Sequence, residues 1–218
     1  MQRSNPMRVR DVMTHATVAV GRRTLFKDIV ERLEQWHLSA LPVLEGDGRV
    51  VGVVSEADLL PKEEFRDDDP DRLTQARRLT DLAKAGAVCA EELMSTPAVT
   101  VPADATLAEA ARIMAVRHVK RLPVVTADGF LEGVVSRGDL LKVFLRTDED
   151  LAEEIRRDVV DALFPASAPS VTVGVTDGVA ALDGSVEEAG TIALAERLAR
   201  GVEGVVGVDC RLRAATAG

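Results

Sequence analysis

Hydrophobic positions follow the same order twice in the first two thirds of the chain. Residues 17–20 and 98–101 form short runs of β-prone residues, which predict a strand at the start of each copy. Apolar residues at helical spacing follow each run and predict an amphipathic helix. These positions are Leu25, Phe26, Ile29, Val30 and Leu33 in the first copy and Leu107, Ala110, Ala111 and Met114 in the second.

Two more strands and a helix are predicted after each amphipathic helix. The segments LPVL and VVGVVS, separated by a turn that contains glycine, predict a hairpin in the first copy. The sequences SEADLL and SRGDLL then predict the start of a helix, with Ser55 or Ser136 as N-cap and Asp58 or Asp139 at the third helical position. Each copy therefore has the predicted order β-α-β-β-α.

The two copies align without a gap at an offset of 81 residues. Residues 9–60 and 90–141 share sixteen identities in fifty-two pairs, which indicates a duplicated supersecondary unit. Gly52 and Gly133 lie inside predicted strands, where glycine lowers stability unless a bulge, a backbone or a ligand comes close. We therefore expect a close neighbour at both glycines.

Residues 61–89 connect the copies. The acidic run KEEFRDDDPDR predicts a solvated loop. Apolar residues after it, at Leu73, Ala76, Leu79 and Leu82, follow helical spacing and predict an amphipathic connecting helix.

A different pattern begins after Arg146. The segment DEDLAEEIRRDVVDALF has apolar residues at four-residue intervals and predicts a helix with an acidic first turn. Strands are predicted at 170–176 and 179–186, joined by an Asp-Gly hairpin turn, and a helix at 188–200 and a strand at 205–212 follow. Residues 147–218 are thus expected to form a small α-β-β-α-β domain.

Composition narrows the class of protein. With 46% hydrophobic and 29% charged residues the chain is expected to be globular. No apolar run approaches the roughly 18 residues of a membrane span, and the N-terminus lacks the apolar stretch of a signal peptide, so we expect a cytoplasmic protein. An aromatic content of 3% disfavours base-stacking platforms for nucleic acids.

Few residues are candidates for catalysis or metal binding. The chain has three histidines, no tyrosine and no phosphate-loop, Rossmann or Gly-x-Ser-x-Gly signature, so we expect no enzymatic activity. Cys89 and Cys210 match no metal-binding spacing and are expected to be packed thiols. His37 and His118 are expected to be hydrogen-bonded at helix ends, with contact to a phosphate as the alternative, and Trp36 is expected in the core or in a dimer contact.

The repeated Ser-x-x-Asp has two interpretations, which the residues leave open. It is a capping box that only begins a helix, with Asp in place of the usual Glu. Alternatively, the helix N-terminus and hydroxyl lie near a phosphate, while the carboxylate accepts hydrogen bonds from a ribose diol. The second interpretation predicts a nucleotide site in each copy.

The paired units resemble a tandem of CBS domains, also called a Bateman module, over about residues 8–146. The motif Gly-x-x-[Ser/Thr]-x-x-Asp of that family is present at residues 52–58 and 133–139. The resemblance implies an α+β fold in which two repeats pack by their sheets about a pseudo-two-fold axis. It also implies two clefts for adenine nucleotides or related adenosyl ligands, and a homodimer.

The resemblance implies roles for particular residues. Asp58 and Asp139 would bind ribose hydroxyls, and Ser55 and Ser136 would lie near ribose or phosphate. The ligand would be AMP, ADP, ATP or S-adenosylmethionine. The backbone bordering the adenine would include Val18, Val20, Ala40, Pro42, Val99, Val101, Arg121 and Pro123.

Charges predict that the two clefts differ. Lys120, Arg121 and Arg137 stand in the second copy where the first has Ser, Ala and Glu. Because cations bind phosphate strongly, we expect the second cleft to prefer phosphorylated adenosine, and Asp139→Ala to weaken binding more than Asp58→Ala. The alternative is that these are solvated surface charges.

The C-terminal domain resembles a BON domain through three motifs at 177–179, 182–184 and 204–208. BON domains are often proposed to bind phospholipid membranes. Residues 147–218, however, carry six basic and fourteen acidic side chains, whereas the whole chain has a net charge of −9. Because acidic surfaces are repelled by anionic lipid and DNA, we expect a protein contact or a dimer role instead, and no nucleic-acid partner.

The predicted boundaries are 1–60 for the first repeat, 61–89 for the linker, 90–146 for the second repeat and 147–218 for the BON-like domain. The predicted function is a non-catalytic regulator that binds an adenosyl ligand and signals through an unknown protein partner. The alternative is a ligand-free scaffold for dimerisation or tethering, whose BON-like domain contacts a protein or a membrane.

Overall fold

The computed structural model describes residues 6–15, 17–65 and 79–215, and these form two compact units. The repeat unit, Arg8–Leu140, contains both copies of the duplicated sequence. The C-terminal unit contains residues 6–7 and 141–215. The predicted linker positions Leu73 and Ala76 and most of the acidic run lie outside the described residues.

Each copy folds as the apolar pattern predicts, around its own three-stranded sheet. The first copy contains α1 (Val9–Val12), β1 (Val20–Gly21), α2 (Phe26–Gln35), β2 (Ala40–Leu44), β3 (Val50–Ser55) and α3 (Glu56–Leu59). The linker contributes α4 (Pro61–Glu64) and α5 (Leu79–Gly86). The second copy contains α6 (Ala90–Leu93), β4 (Val101–Pro102), α7 (Leu107–Val116), β5 (Arg121–Val125), β6 (Leu131–Ser136) and α8 (Arg137–Leu140).

The two sheets share one topology. Strand β1 pairs parallel to β2, which forms an antiparallel hairpin with β3, and β4, β5 and β6 repeat this order. Both hairpins contain a register shift, after Val43 and after Val124, opposite the glycine that the motif requires. The first strand of each copy is shorter than predicted, because residues 17–19 and 98–100 run as irregular chain.

The amphipathic helices bury a narrower stripe than the sequence predicts. In α2 the side chains of Ile29 and Leu33 are buried, whereas Leu25 at the N-cap and Val30 are 58% and 41% exposed. In α7 the residue Ala111 is exposed. The predicted helices are present, and these three positions of the apolar pattern lie outside the buried stripe, since each helix covers a single sheet face.

The short helices α1 and α6 are exchanged between the copies. The amide of Val9 in α1 donates to the carbonyl of Ala105 in the second copy at 2.9 Å. The amide of Ala90 in α6 donates to the carbonyl of Thr24 in the first copy, also at 2.9 Å. Ala90 and Leu93 belong to the apolar core around Ile29 and Leu41, so the core of the first copy is completed by a segment from the second.

The exchanged segments explain the strand glycines. Thr14, which follows α1, forms backbone hydrogen bonds of 3.0 Å in both directions with Val134. A Cβ atom added to Gly133 would lie 2.8 Å from the carbonyl oxygen of Thr14. At Gly52 a Cβ atom would lie 2.5 Å from the sulfur of Met94. The close neighbour predicted from sequence is therefore confirmed, and it is the crossing segment of the other copy.

Substitution Gly133→Ala should destabilise the repeat unit by about 2 kcal/mol, because the added methyl overlaps a backbone carbonyl that cannot move freely. Urea denaturation followed by the fluorescence of Trp36, the chain's single tryptophan, reports on this unit. Gly46→Ala is the matched control, since no atom lies within 4 Å of its added methyl. Equal stability of both variants would contradict the crossing contact.

The C-terminal unit has the predicted α-β-β-α-β order. It contains α9 (Asp148–Ile155), a π-helical segment (Arg156–Val160), α10 (Asp161–Leu163), β7 (Val171–Thr176), β8 (Val179–Val186), α11 (Ile192–Arg200) and β9 (Gly207–Ala214). Strand β8 is central, antiparallel to β7 and parallel to β9. The helices bury Ile155, Val159 and Ala195 with Leu182 of the sheet, which forms a core within this unit.

The first turn of α9 also holds the β7–β8 hairpin. Asp177 and Gly178 have φ angles of 51° and 74°, as a two-residue hairpin turn requires. Their amides donate to the carboxylate of Asp148, each at 2.9 Å. The acidic helix start therefore contributes to tertiary structure, in addition to matching the helix dipole.

No helix in the described ranges is both long and apolar enough to cross a bilayer.

Candidate functional site

Two clefts lie in the repeat unit, and both copies contribute to each. The Asp58 cleft has a volume of about 210 Å³ and the Asp139 cleft about 230 Å³. The Asp58 cleft is lined by Ser39, Ala40, Val53 and residues 55–58 from the first copy and by Ser95, residues 97–99 and residues 118–121 from the second. The Asp139 cleft is lined by Thr14, Thr17, Val18, Trp36, Leu38, Ala40, Pro42, Arg121, Val134 and Asp139.

Asp58 begins helix α3 as the capping box predicts. Its Oδ2 atom accepts hydrogen bonds from the Ser55 amide at 2.7 Å and from the Ser55 hydroxyl at 2.6 Å. The residue is 7% exposed and is the one buried charged residue within the described part of the chain. Capping therefore accounts for Oδ2 and leaves the other oxygen to be explained.

The second oxygen, Oδ1, faces the linker and the second copy. It accepts an ion-pair hydrogen bond from the ammonium of Lys84 in α5 and a 3.3 Å hydrogen bond from the hydroxyl of Ser95. The side chains of Lys84 and Asp58 are 14% and 9% exposed, so the pair is largely withdrawn from solvent. A buried carboxylate is stable only with such partners, because ion burial without compensation is costly.

Asp139 repeats the cap in the second copy. Its Oδ2 atom accepts from the Ser136 amide at 2.9 Å and from the Ser136 hydroxyl at 2.6 Å. Trp36, 56% exposed at the end of α2, lines the same cleft. Of the two predictions for Trp36, the core position is wrong, because the helix ends there and the side chain lines the cleft, and the dimer contact stays a prediction.

Of the three charged residues predicted for the Asp139 cleft, only Arg121 lines it. Lys120 lines the Asp58 cleft, and Arg121 lines both clefts, with its Nε donating to the Ser39 hydroxyl of the first copy at 3.0 Å. Arg137 is exposed and donates to the carbonyl of Val119 at 3.1 Å. The assignment of Lys120 to the Asp139 cleft was wrong, because the clefts combine residues of both copies.

The remaining predicted residues divide between the clefts and the core. Val99 borders the Asp58 cleft, Val18 and Pro42 border the Asp139 cleft, and Ala40 lies between the two. Three others are buried in the unit and line neither cleft among the described residues, namely Val20, Val101 and Pro123. Val20 and Val101 are the first residues of β1 and β4, and Pro123 lies within β5.

Sequence reasoning missed two residues that contact Asp58, namely Lys84 and Ser95. Lys84 lies in the linker, outside the two repeats that contain the motif. It belongs to no sequence motif, so the sequence does not mark it as a site residue. Ser95 is marked only by its alignment with Thr14 at the 81-residue offset. His118 lines this cleft and ends α7 with a φ of 54°, as His37 ends α2 with a φ of 50°. Within the described residues, no cluster of three or more His, Cys, Asp or Glu side chains could hold a metal ion.

The family model for the CBS domain matches residues 9–62 and 90–146, and the model for the BON domain matches residues 147–216. The chain belongs to the CBS-domain family. It is a tandem CBS protein with a C-terminal BON domain, as the two resemblances predicted, and its α+β fold is confirmed.

Relatives and solved structures match the CBS pair. An uncharacterized protein of Methanocaldococcus jannaschii, MJ1426, is 26% identical over 64% of this chain and 92% of its own length. The chloroplastic protein CBSX2 of Arabidopsis thaliana is 33% identical over 56% of each chain, so the match spans about half of that protein.

The crystal structure of CBSX2 in complex with AMP is similar with a TM-score of 0.56 and 30% identity, covering 63% of this chain and 96% of that one. The CBS pair of MJ0100, in complex with 5′-methylthioadenosine and S-adenosyl-L-methionine, shares the fold with a TM-score of 0.52 and 16% identity, covering 64% and 97% of the two chains.

Substitution Asp58→Ala should destabilise the CBS pair by about 3 kcal/mol, because it leaves the Lys84 ammonium without its buried partner. The double variant Asp58→Ala/Lys84→Met should recover part of this loss, since neither charge then remains. Urea denaturation monitored by Trp36 gives both values. Glu56→Ala, an exposed acidic position on the same helix, is the control and should change stability by less than about 0.5 kcal/mol. A double variant that is no more stable than Asp58→Ala alone would contradict the ion pair between Asp58 and Lys84.

Proposed function

We propose that this protein is a non-catalytic regulator whose CBS pair binds an adenine nucleotide or a related adenosyl ligand. The observation that carries the proposal is the repeated carboxylate, Asp58 or Asp139, fixed by a serine at the mouth of a cleft of about 200 Å³ between the copies. A carboxylate is a suitable acceptor for a ribose diol. The similarity to CBSX2, whose structure contains AMP, supports adenosine as the nucleoside.

Charge supports different ligands in the two clefts. The Asp58 cleft contains Lys120, Arg121 and His118 together with the acidic Glu56, whereas the carboxylate of Asp58 is already matched by Lys84. Excess positive charge in a partly enclosed cleft favours a phosphorylated ligand, such as AMP. The Asp139 cleft combines Arg121 with an indole ring and two threonines, which suits an adenosyl group of lower negative charge.

Calorimetric titration of AMP, ADP, ATP and S-adenosylmethionine into ligand-free protein tests the function. We expect saturable binding of at least one of these ligands, weakened by Asp58→Asn or by Asp139→Asn. Trp36 assigns the site, because a base that enters the Asp139 cleft should change indole fluorescence. Absence of heat and of fluorescence change with all four ligands would contradict nucleotide binding.

Lys120→Ser should lower AMP affinity about tenfold, equivalent to about 1.4 kcal/mol for loss of a charged phosphate contact. Adenosine affinity should stay within twofold, because adenosine has no phosphate. Serine is the residue that the first copy has at the aligned position, Ser39. Lys27→Ser, at an exposed position of α2 outside both clefts, controls for the change in net charge. If both variants lowered AMP affinity equally, Lys120 would act only through long-range electrostatic attraction and would not contact the phosphate.

How ligand binding changes the interactions of the protein is also a proposal. Ligand that binds one arrangement of the CBS pair better than another shifts the population of that arrangement. We expect a homodimer, a protein partner and a cytoplasmic location, and the acidic BON domain as a protein-contact or dimerisation element. Flotation of the full-length protein with vesicles containing anionic lipid should leave it unbound, and capture by those vesicles would favour a membrane role.

A ligand-free scaffold is the second candidate. It is favoured by the saturation of the Asp58 carboxylate, since Ser55, Ser95 and Lys84 already occupy both of its oxygens. In that case Ser-x-x-Asp acts as a helix cap in both copies. The titrations above distinguish the two functions.

A further inference from the structure

The linker helix α5 places a cation on the carboxylate that the ribose would use. Lys84 donates to Oδ1 of Asp58, and the Ser55 cap occupies Oδ2. Both side chains are largely buried, at 14% and 9% exposure. A ribose diol therefore meets a carboxylate with no vacant oxygen, and a new hydrogen bond to Oδ1 requires that an existing one be given up.

We propose that Lys84 is an internal competitor for the ribose diol, which sets the affinity and the ribose selectivity of the Asp58 cleft. This inference rests on the proposed function, because it needs a nucleoside in that cleft. Ligand binding exchanges the ammonium of Lys84 on Oδ1 for ribose hydroxyls. The observed affinity is reduced by the free energy of breaking the ion pair.

The cap and the ion pair use different oxygens, so the competition is local. Ser55 holds Oδ2 through its amide and hydroxyl and fixes the orientation of the carboxylate. The Ser95 hydroxyl contributes a longer bond of 3.3 Å to Oδ1. Loss of Lys84 therefore leaves the carboxylate in position, with one strong donor fewer, and makes Oδ1 a better acceptor for a diol.

A second lysine provides a matched comparison. Lys62 in α4 donates to the carbonyl of Ala85 at 2.9 Å, at the C-terminal end of the same linker helix, and its ammonium lies 5.1 Å from the centre of the Phe26 ring. It touches α5 without contacting Asp58. Its removal should disturb the helix without changing the donors on Oδ1.

Displacement of Lys84 also breaks the ion pair that joins α5 to Asp58 of the first copy, while the lysine contact between α4 and α5 remains. That contact, from Lys62, does not involve the ligand. Occupation of the Asp58 cleft by a ribose should therefore loosen the linker helix, and a ligand without the diol should leave it in place. Hydrogen exchange of the α5 amides measures this release independently of affinity.

The test compares AMP with 2′,3′-dideoxy-AMP, which lacks the diol, in wild type, Lys84→Met and Lys62→Met by calorimetric titration. Lys84→Met should bind AMP about tenfold more tightly than wild type and dideoxy-AMP within twofold of wild type. Lys62→Met should leave the ratio of the two affinities unchanged. Lys84→Arg, which retains a cation, should bind AMP with wild-type affinity. In the wild type, hydrogen exchange of the amides in Leu79–Gly86 should become faster with AMP and should not change with dideoxy-AMP.

The outcomes separate this inference from the proposed function. Equal changes for both nucleotides in Lys84→Met, or weaker AMP binding, would overturn the competition while leaving nucleotide binding intact. Lys84→Gln provides a folded alternative if Lys84→Met is unstable, and it should tighten AMP binding to a smaller degree. Absence of AMP binding in wild type and in all four variants would overturn both proposals.

Discussion

The exchange of α1 and α6 between the two repeats is the constraint on which the remainder of the CBS pair depends. Each copy is bonded to a short helix from the opposite copy, and the apolar core of the first copy includes two residues of the second. The crossing segments pass so close to β3 and β6 that a Cβ atom at position 133 would overlap the Thr14 carbonyl, and one at position 52 would overlap the Met94 side chain. The same crossing brings the second copy's Ser95 beside Asp58, which gives the cleft its mixed lining.

One carboxylate in this arrangement has two structural roles. Asp58 starts a helix with one oxygen and anchors the linker with the other. The proposed binding role would use the oxygen that anchors the linker, so binding and anchoring compete for it. The helix cap makes the carboxylate rigid, and rigidity of an acceptor lowers the entropic cost of binding a ligand. The Asp58 cleft is thus a candidate ligand site of the CBS pair, and the ion pair between Asp58 and Lys84 connects it to the linker.

Much of the fold follows from local pattern, whereas the clefts depend on long-range packing. Apolar periodicity, the 81-residue repeat and the Asp177-Gly178 turn predicted the elements of both units. The helix cap formed by Ser55 and Asp58 could also be predicted, because the two residues are three positions apart. Lys120 was assigned to the wrong cleft because alignment of the copies shows which positions are equivalent. It does not show which residues of one copy lie beside the motif of the other. Lys84 was missed because it belongs to neither copy, and its contact joins residues 26 positions apart.

The helix exchange has a consequence for the origin of the chain. A single repeat of this sequence would lack the short helix that the other copy supplies, so a one-repeat ancestor would obtain it by pairing with an identical chain and exchanging helices. Fusion of two such genes converts that dimer into one polypeptide and frees the halves to diverge. Lysine at position 120 opposite serine at position 39, and tryptophan at 36 opposite arginine at 117, are the kind of asymmetry that an identical pair could never acquire.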